Sequence, residues 1–497
     1  MPIFSLPSNH GIGTLGKKAY EFVDFLKKAG QSYWQVLPLN PTNYGDSPYQ
    51  SFSSYAGNPY FVDLDVLADE GLLDLNDFIL VDFGDDDFSI DYGKLYENRF
   101  TVLKKAFERF DKTSDDYVKF CKKEKHWLED YALFMAIKDS LGGISWHDWD
   151  DALKYRKKSA LKAFKEEHID ELEFYKFIQF EFFKQWYALK SYANKNGIKI
   201  IGDIPIYVAD DSVDIWCNTK EFDLDENLLP NVVAGCPPDA FSADGQLWGM
   251  PVYNWEYMKN EPNPYSWWRA RVRHVLRVYD IVRIDHFRGF ESFYCINYGA
   301  KNARRGKWRK GPGIDLFNSF KRDFGEDLPI IAEDLGFLTK EVYDLLDETG
   351  FPGMKVLQFA FDPDGGGSEY LPHNHKRNCV VYVGTHDNDT ALGWTKTAEC
   401  ECVDYARKYI HVDEKEGWSW AMIRTAMMSQ ADTAIIMMQD FICLGSEGRI
   451  NTPSTLGDNW KWRIDGYCIN DWLAEMIYKN TKVYDRLPKN KKKSVQK

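Results

Sequence analysis

The 497-residue sequence predicts one (β/α)8 barrel carrying insertions, an α/β fold, and three observations support that expectation. Short β-branched or apolar runs ending in polar or turn residues alternate with segments of helical periodicity, as repeated βα units do. The runs number eight, at residues 2–6, 33–39, 198–208, 281–287, 329–335, 354–361, 379–385 and 434–444, which is the count a barrel requires. Three of them end in carboxylates, at the strand end where barrel active sites are built.

Taken in order, the run at 2–6 leads into a helix in which Ala19, Phe22, Phe25 or Leu26, and Ala29 recur at helical spacing before Gly30 stops it. Gly30-Gln31 then feeds the second run. The interval 66–196 is too long for a simple connection, and its apolar residues within 96–110, 126–139 and 171–193 sit at helical spacing, which predicts a helical insertion. The interval 209–268 is rich in Pro, Gly, Asn and Asp, and is expected to form loops over one barrel end. Residues 1–485 are therefore read as one barrel with two inserted subdomains, and 486–497 as a Lys-rich, solvated tail.

Composition narrows the function. A formal charge of −14 argues against a nucleic-acid partner, because phosphate binding needs a basic face and the dense Lys run lies at 489–497. No stretch approaches the roughly 18 consecutive apolar residues of a membrane span, so no membrane role is expected. The nine cysteines are scattered singly and no charged-then-apolar leader opens the chain, which points to a reducing cytoplasm. Aromatic residues make up 16% of the chain, which suits either a large core or recognition of the apolar faces of sugars.

The chemistry lies in the strand ends. In residues 281–287, strand alternation puts Arg283 and Asp285 on one face, opposite Val282 and Ile284. An Arg beside an Asp favours the ionised form that a nucleophilic carboxylate needs, although the same pair can be a purely structural ion pair. Residues 329–335 deliver two adjacent acids before Gly336. Glu333 is the expected general acid/base, since a partly desolvated Glu can hold a proton near neutrality, while an acidic strand end can also be only a helix cap. Residues 379–385 lead into His386-Asp387-Asn388, where Asp387 could hold sugar hydroxyls. A second His or Cys cluster at metal-ligand spacing is missing, so neither a metal nor another cofactor is expected. Three carboxylates ending three barrel strands form a set that glycoside transfer uses.

Nine stretches together resemble a known family: SLPSNHGIGTLG from Ser5, WQVLPLNPT from Trp34, SPYQSFSSYAGNPY from Ser47, GDIPIYVADDSVDIW from Gly202, PPDAFSADGQLWG from Pro237, RIDHFRGFESF from Arg283, AEDLG from Ala332, PGMKVLQFAF from Pro352 and GTHDN from Gly384. The chain is similar over nearly its whole length to the amylomaltases, or 4-α-glucanotransferases, of the α-amylase superfamily. That resemblance implies Asp285 as nucleophile, Glu333 as acid/base and Asp387 as transition-state stabiliser. Arg283 and His386 would support them, and Tyr55, Asp203, Trp248 and Asn451 would contact glucan. The implied reaction moves an α-1,4-glucan segment from a donor maltooligosaccharide to the 4-hydroxyl of glucose or another glucan, with retention. Hydrolysis on the same site and glucan binding without catalysis are the alternatives. Segment 234–253 is expected to exclude water from the intermediate.

Three positions depart from the family pattern. The usual apolar strand before SLPS is reduced to Met1-Pro2-Ile3-Phe4, Met250 stands where Asn is expected, and Ser454 replaces a Gly after the RINTP turn.

Overall fold

The computed structural model describes residues 1–43, 45–238, 243–336 and 338–489. Among them eleven strands form: β1 (Tyr33–Gln35), β2 (Lys199–Ile204), β3 (Val232–Cys236), β4 (Gln246–Pro251), β5 (Ile281–Ile284), β6 (Ser292–Asn297), β7 (Gly306–Lys310), β8 (Ile330–Ala332), β9 (Gly353–Val356), β10 (Cys379–Tyr382) and β11 (Thr433–Ile435). Seven of them build the barrel wall. β1, β2, β5 and β8 pair in parallel, and so do β9, β10 and β11. The two arcs meet where the Ala332 amide donates to Pro352 O at 3.0 Å.

Period-two alternation organises the wall. Ile201, Ile331, Met354, Val356, Val380 and Tyr382 form one buried cluster, with Ile281 and Ile435 packed on it. Burial of each large side chain there contributes roughly 1.5–3 kcal/mol. Two residues further along the same strands, the inward positions turn polar: Asp203 follows Ile201, Arg283 follows Ile281 and Glu333 follows Ile331. An apolar floor thus carries a polar upper layer at the C-terminal strand ends.

The first expected strand is absent. Residues 2–6 form a turn in which the Leu6 amide donates to Ile3 O at 3.0 Å, a closure incompatible with extended backbone. Ile3, Phe4 and Leu6 are buried as a plug instead. β11 and β1 consequently do not pair, and a cavity of about 1110 Å3 separates them, lined by Phe22, Phe25, Trp34, Ile435, Met438 and Ile477 among others. Contact across this seam includes the Met1 amine donating to Gln35 O at 3.3 Å and Trp34 Nε1 donating to Met1 O at 2.7 Å.

The helix after the plug spans Lys17–Lys28 and buries Ala19, Phe22, Val23, Phe25 and Leu26. It stops at Gly30, whose φ of +68° suits a residue without Cβ. Within 66–196 the long helices are Tyr92–Arg109, Asp115–Ser140 and Ile169–Lys195, the last two packed together. Bidentate pairing of Glu124 with Arg277, at 2.9 and 3.0 Å, ties this helical layer to the helix Ser266–Val278 that precedes β5.

The interval 209–268 is more ordered than its composition suggests. β3 and β4 lie inside it as an antiparallel pair, extended by β6 and β7 into a four-stranded sheet in the order β4-β3-β6-β7. The described part of segment 234–253 is thus largely the antiparallel pair β3 and β4; residues 239–242 lie outside the described residues, as do those from 490 onward. No helix among the described residues is long and apolar enough to cross a membrane.

Candidate active site

A cleft of about 920 Å3 opens at the C-terminal ends of the barrel strands. Asp285, His386, Asp387, Trp248 and Asn451 all line it.

Its base is a chain of charge. Asp203, at 0% exposure, accepts from Arg283 Nη1 through both carboxylate oxygens at 2.8 Å. Arg283 Nη2 lies 3.0 Å from Asp285 Oδ1, and its Nε points at Met354 Sδ at 3.3 Å. One buried guanidinium therefore bridges a structural carboxylate and the carboxylate that faces the cleft. Burial makes the arrangement demanding, because removing either partner leaves an uncompensated charge. Asp285 itself is backed by its amide, which donates to Ile204 O at 2.9 Å.

Glu333 occupies the next strand end. Alternation separates it from its neighbour: Glu333 continues the inward row of Ile331, whereas Asp334 points outward and accepts from the Met354 amide at 2.5 Å. The Glu333 carboxylate accepts from the His286 amide at 2.6 Å and the Leu335 amide at 2.9 Å. Burial, and then the charge of Asp285, push its pKa up to about 8, against the lowering effect of Arg283 and the two amides. At neutral pH it carries a proton it can donate.

His286 makes this contact through an uncommon backbone. It sits at φ 51°, ψ 51° in the left-handed region, which turns the chain sharply after Asp285 and aims its amide at Glu333. Burial pushes its ring down to about 4, so the ring is neutral. It stands edge-on to Trp248 with centroids 4.8 Å apart.

Asp387 is the most open of the three, its side chain 45% exposed. Asn451 Nδ2 donates to its Oδ1 at 2.6 Å, His386 Nε2 lies 3.4 Å away, and Arg449 Nη2 donates to its main-chain oxygen at 2.8 Å. The Asn451 amide also donates to His386 O at 3.1 Å, closing the two loops on each other.

Tyr55 and Asp203, both expected to contact glucan, are not among the residues lining this cleft. Tyr55 is buried against His274, Trp127 and His126, with the His274 ring 4.9 Å away. Ser53 Oγ accepts from the Tyr55 and Ala56 amides, and this local turn directs the ring inward. Asp203 is wholly buried and meets the cleft only through its partners Arg283 and Tyr49.

Neither strand alternation nor the strand-end acids point to Tyr49. Its hydroxyl donates to Asp203 Oδ2 at 2.8 Å and its ring stacks on His386 at 5.1 Å, so it joins the first and last carboxylate groups. Its place in the SPYQ stretch was the available signal. Met250 and Ser454 both line the cleft, and Ser454 adopts φ 63°, the left-handed conformation a Gly would take without strain.

Among the described residues, His10, Asp63 and Asp65 form the cluster whose ligand atoms could converge on a cation, and none of them lines the cleft. Asp63 is already committed to the Val66 amide and the Thr14 hydroxyl, and His10 to Asp65.

Residues 1–469 match the sequence family described as 4-alpha-glucanotransferase. The chain is 51% identical over 489 residues to a 4-alpha-glucanotransferase of Clostridium butyricum, covering 98% of this chain and 100% of that one. With a 4-alpha-glucanotransferase of Streptococcus pneumoniae it shares 48% over 494 residues, covering 99% and 97%. The fold superposes with a TM-score of 0.95 on an amylomaltase from Streptococcus agalactiae in complex with acarbose, at 41% identity over 98% of this chain and 99% of the other. An amylomaltase from Corynebacterium glutamicum, 18% identical, shares the fold with a TM-score of 0.74 over 98% of this chain and 73% of its own.

Proposed function

The chain belongs to the 4-alpha-glucanotransferase family, and from that premise we propose that Asp285, Glu333 and Asp387 carry a retaining transfer of α-1,4-glucan segments between maltooligosaccharides, with glucose or another glucan as acceptor. The observation that carries this reading is Asp285, facing the cleft with its carboxylate 3.0 Å from the Arg283 guanidinium, on a strand paired with the one that ends at the buried Glu333, with Asp387 on the same cleft.

In the forward half-reaction the Glu333 proton goes to the oxygen of the scissile bond as that bond breaks. Asp285 attacks the anomeric carbon from the opposite side and forms a glycosyl ester, while the shortened glucan leaves. Glu333, now a carboxylate, takes the proton of the acceptor 4-hydroxyl, whose oxygen displaces Asp285. Arg283 holds Asp285 in line. Asp387, oriented by Asn451 and His386, grips two ring hydroxyls, and Trp248 and Tyr49 offer ring faces to the sugar. Segment 234–253 shields the ester from water, so a sugar rather than water completes the cycle. Retaining chemistry requires the two principal carboxyls about 5–5.5 Å apart.

A cytoplasmic location is part of the same reading, supported by nine free cysteines.

The test is incubation of the protein with maltotriose alone, with chain lengths followed over time and Asp285→Asn as the control. Glucose together with maltopentaose and longer chains, absent with the variant, is the expected result. Glucose and maltose without longer products would replace transfer by hydrolysis, and full activity in the variant would remove Asp285 from its role.

A further inference from the structure

Asp334 is a buried acid that the reaction steps above leave unused. It follows Glu333 directly and is 2% exposed, at the junction of the two arcs between β8 and β9. The next helix, Lys340–Thr349, has Thr339 at its N-cap, so Asp334 does not serve as a helix cap. Parallel strands share evenly spaced, slanted bonds. Once the Ala332 amide donates to Pro352 O at 3.0 Å, the next bond of a regular ladder would run from the Met354 amide to Ala332 O. Here the Met354 amide donates instead to Asp334 Oδ1 at 2.5 Å. A side-chain carboxylate has taken the place of a main-chain carbonyl. It lies so close to β9 that a Cβ on Gly353 would meet Asp334 Oδ2 at 2.6 Å, which is why that strand begins with glycine.

Two chains of contact start from this bond. On one side, Asp334 is the middle residue of the turn 333–335, and the Leu335 amide at the end of the turn donates to Glu333 Oε1 at 2.9 Å. Anchoring Asp334 to β9 therefore fixes the amide that orients the Glu333 carboxyl. On the other side, Met354 gives its amide to Asp334 and offers its sulfur to Arg283, whose Nε donates to Sδ at 3.3 Å. Arg283 in turn lies 3.0 Å from Asp285. The outer face holds Asp334 in place: Lys355 Nζ is 4.0 Å from it and 2.7 Å from Glu369, the Tyr343 hydroxyl donates to Glu369 at 3.1 Å, and the Tyr370 ring lies under Lys355.

We propose that Asp334 is a positioning residue for the transfer reaction, a carboxylate that stands in for a ladder carbonyl and so keeps Glu333 and the Arg283–Asp285 pair in a fixed relation. The inference rests on the roles given above to Glu333 and Asp285.

The experiment compares Asp334→Ala, which loses the acceptor, with Asp334→Asn, whose Oδ1 can accept the same amide. Gly353→Ala, which drives a methyl group against the carboxylate without changing its charge, and Glu333→Gln are run in parallel. Folded fractions come from urea titration, and maltotriose disproportionation is followed from about pH 7 to pH 10. Burial raises Asp334 to about 6, against the pull of Lys355 and the Met354 amide, so over that range the basic limb reports Glu333. The Asp334→Ala and Gly353→Ala variants should each lose about 10- to 100-fold in kcat per folded molecule, with KM within about twofold, because the reacting groups are misplaced while the sugar contacts remain. Their basic limbs should move up by about 0.5–1 pH unit, since the Leu335 amide that favours ionised Glu333 is loosened. Asp334→Asn should keep kcat within about threefold and leave the limb in place. A carboxylate needed for stability alone would lower the folded fraction and leave kcat per folded molecule and the limb unchanged, and that result would overturn the proposal. So would an Asn variant as impaired as the Ala variant. Wild-type turnover by Glu333→Gln would instead remove the role of Glu333, on which the inference rests.

Discussion

The barrel wall has two unlike halves. Along β2, β5 and β8 every strand is paired on both sides except at the arc's ends, and the inward row rises from Ile201, Ile281 and Ile331 to Asp203, Arg283 and Glu333. Between β11 and β1 the wall stands open over a cavity of about 1110 Å3, and all three residues of β11 are only half-buried. The difference teaches that the proposed catalytic carboxylates are held by local pairing rather than by a closed ring. Asp285 and Glu333 are fixed by contacts to Arg283, His286 and Leu335, all of which lie on the closed side.

The comparison breaks most visibly at Arg283. Arg283→Met leaves Asp203 buried without its partner, and should lower unfolding stability by about 3–5 kcal/mol in urea titration, together with turnover. A variant that lost turnover alone would show the pair to be catalytic but not structural.

Next comes the pH response, which should belong to the closed half. The Glu333 pKa is raised from 4.5 to about 8, so the folded state holds a proton that the unfolded chain releases. Its contribution is fully present below about pH 4.5 and is lost as pH rises through about 8. Unfolding free energies from urea titration at pH 5 and pH 9 should differ by on the order of 4 kcal/mol more in the wild type than in Glu333→Gln. Equal pH dependence in the two proteins would remove Glu333 as the titrating group. Turnover should fall over the same rise, as the acid loses its proton.

The same substitution made in each half sharpens the contrast further. Ile200, at 0% exposure on β2, should lose about 3 kcal/mol on change to Ala, whereas half-buried Ile435 on β11 should lose about 1 kcal/mol. Equal losses would mean that the seam is packed as tightly as the closed wall.

At the turn the expected cost is again below that of the closed wall. His286→Val forces a β-branched residue into the left-handed region and should cost about 1–2 kcal/mol, while His286→Gly keeps the backbone and the amide contact to Glu333. The readout is the basic limb of the pH–rate profile, which should move in the Val variant and hold in the Gly variant.

Much of this was legible in the sequence because strand alternation is a strict rule: Arg283 and Asp285 share a face, and the residue two after Ile331 had to be Glu333. The helix Lys17–Lys28 was readable for a similar reason, its apolar spacing ending at a Gly. Residues 2–6 misled because a short apolar run does not reveal whether its backbone extends or turns, and here the Ile3–Leu6 hydrogen bond decides. Tyr49 and Tyr55 lie six residues apart in one stretch. Only tertiary contact distinguishes them, the first reaching Asp203 and the second His274. The interval 209–268 looked like loop because it is rich in Pro, Gly, Asn and Asp, yet cross-strand pairing to β6 recruits Val232–Cys236 into a sheet.

The left-handed backbone at His286 also limits how this site can evolve. A histidine codon reaches asparagine or aspartate by one base change, and both tolerate positive φ, whereas glycine needs two changes. Aspartate would set another negative charge beside Asp285 and Glu333. Asparagine is therefore the neighbouring allele through which drift at this turn can pass without disturbing the acid that the turn holds.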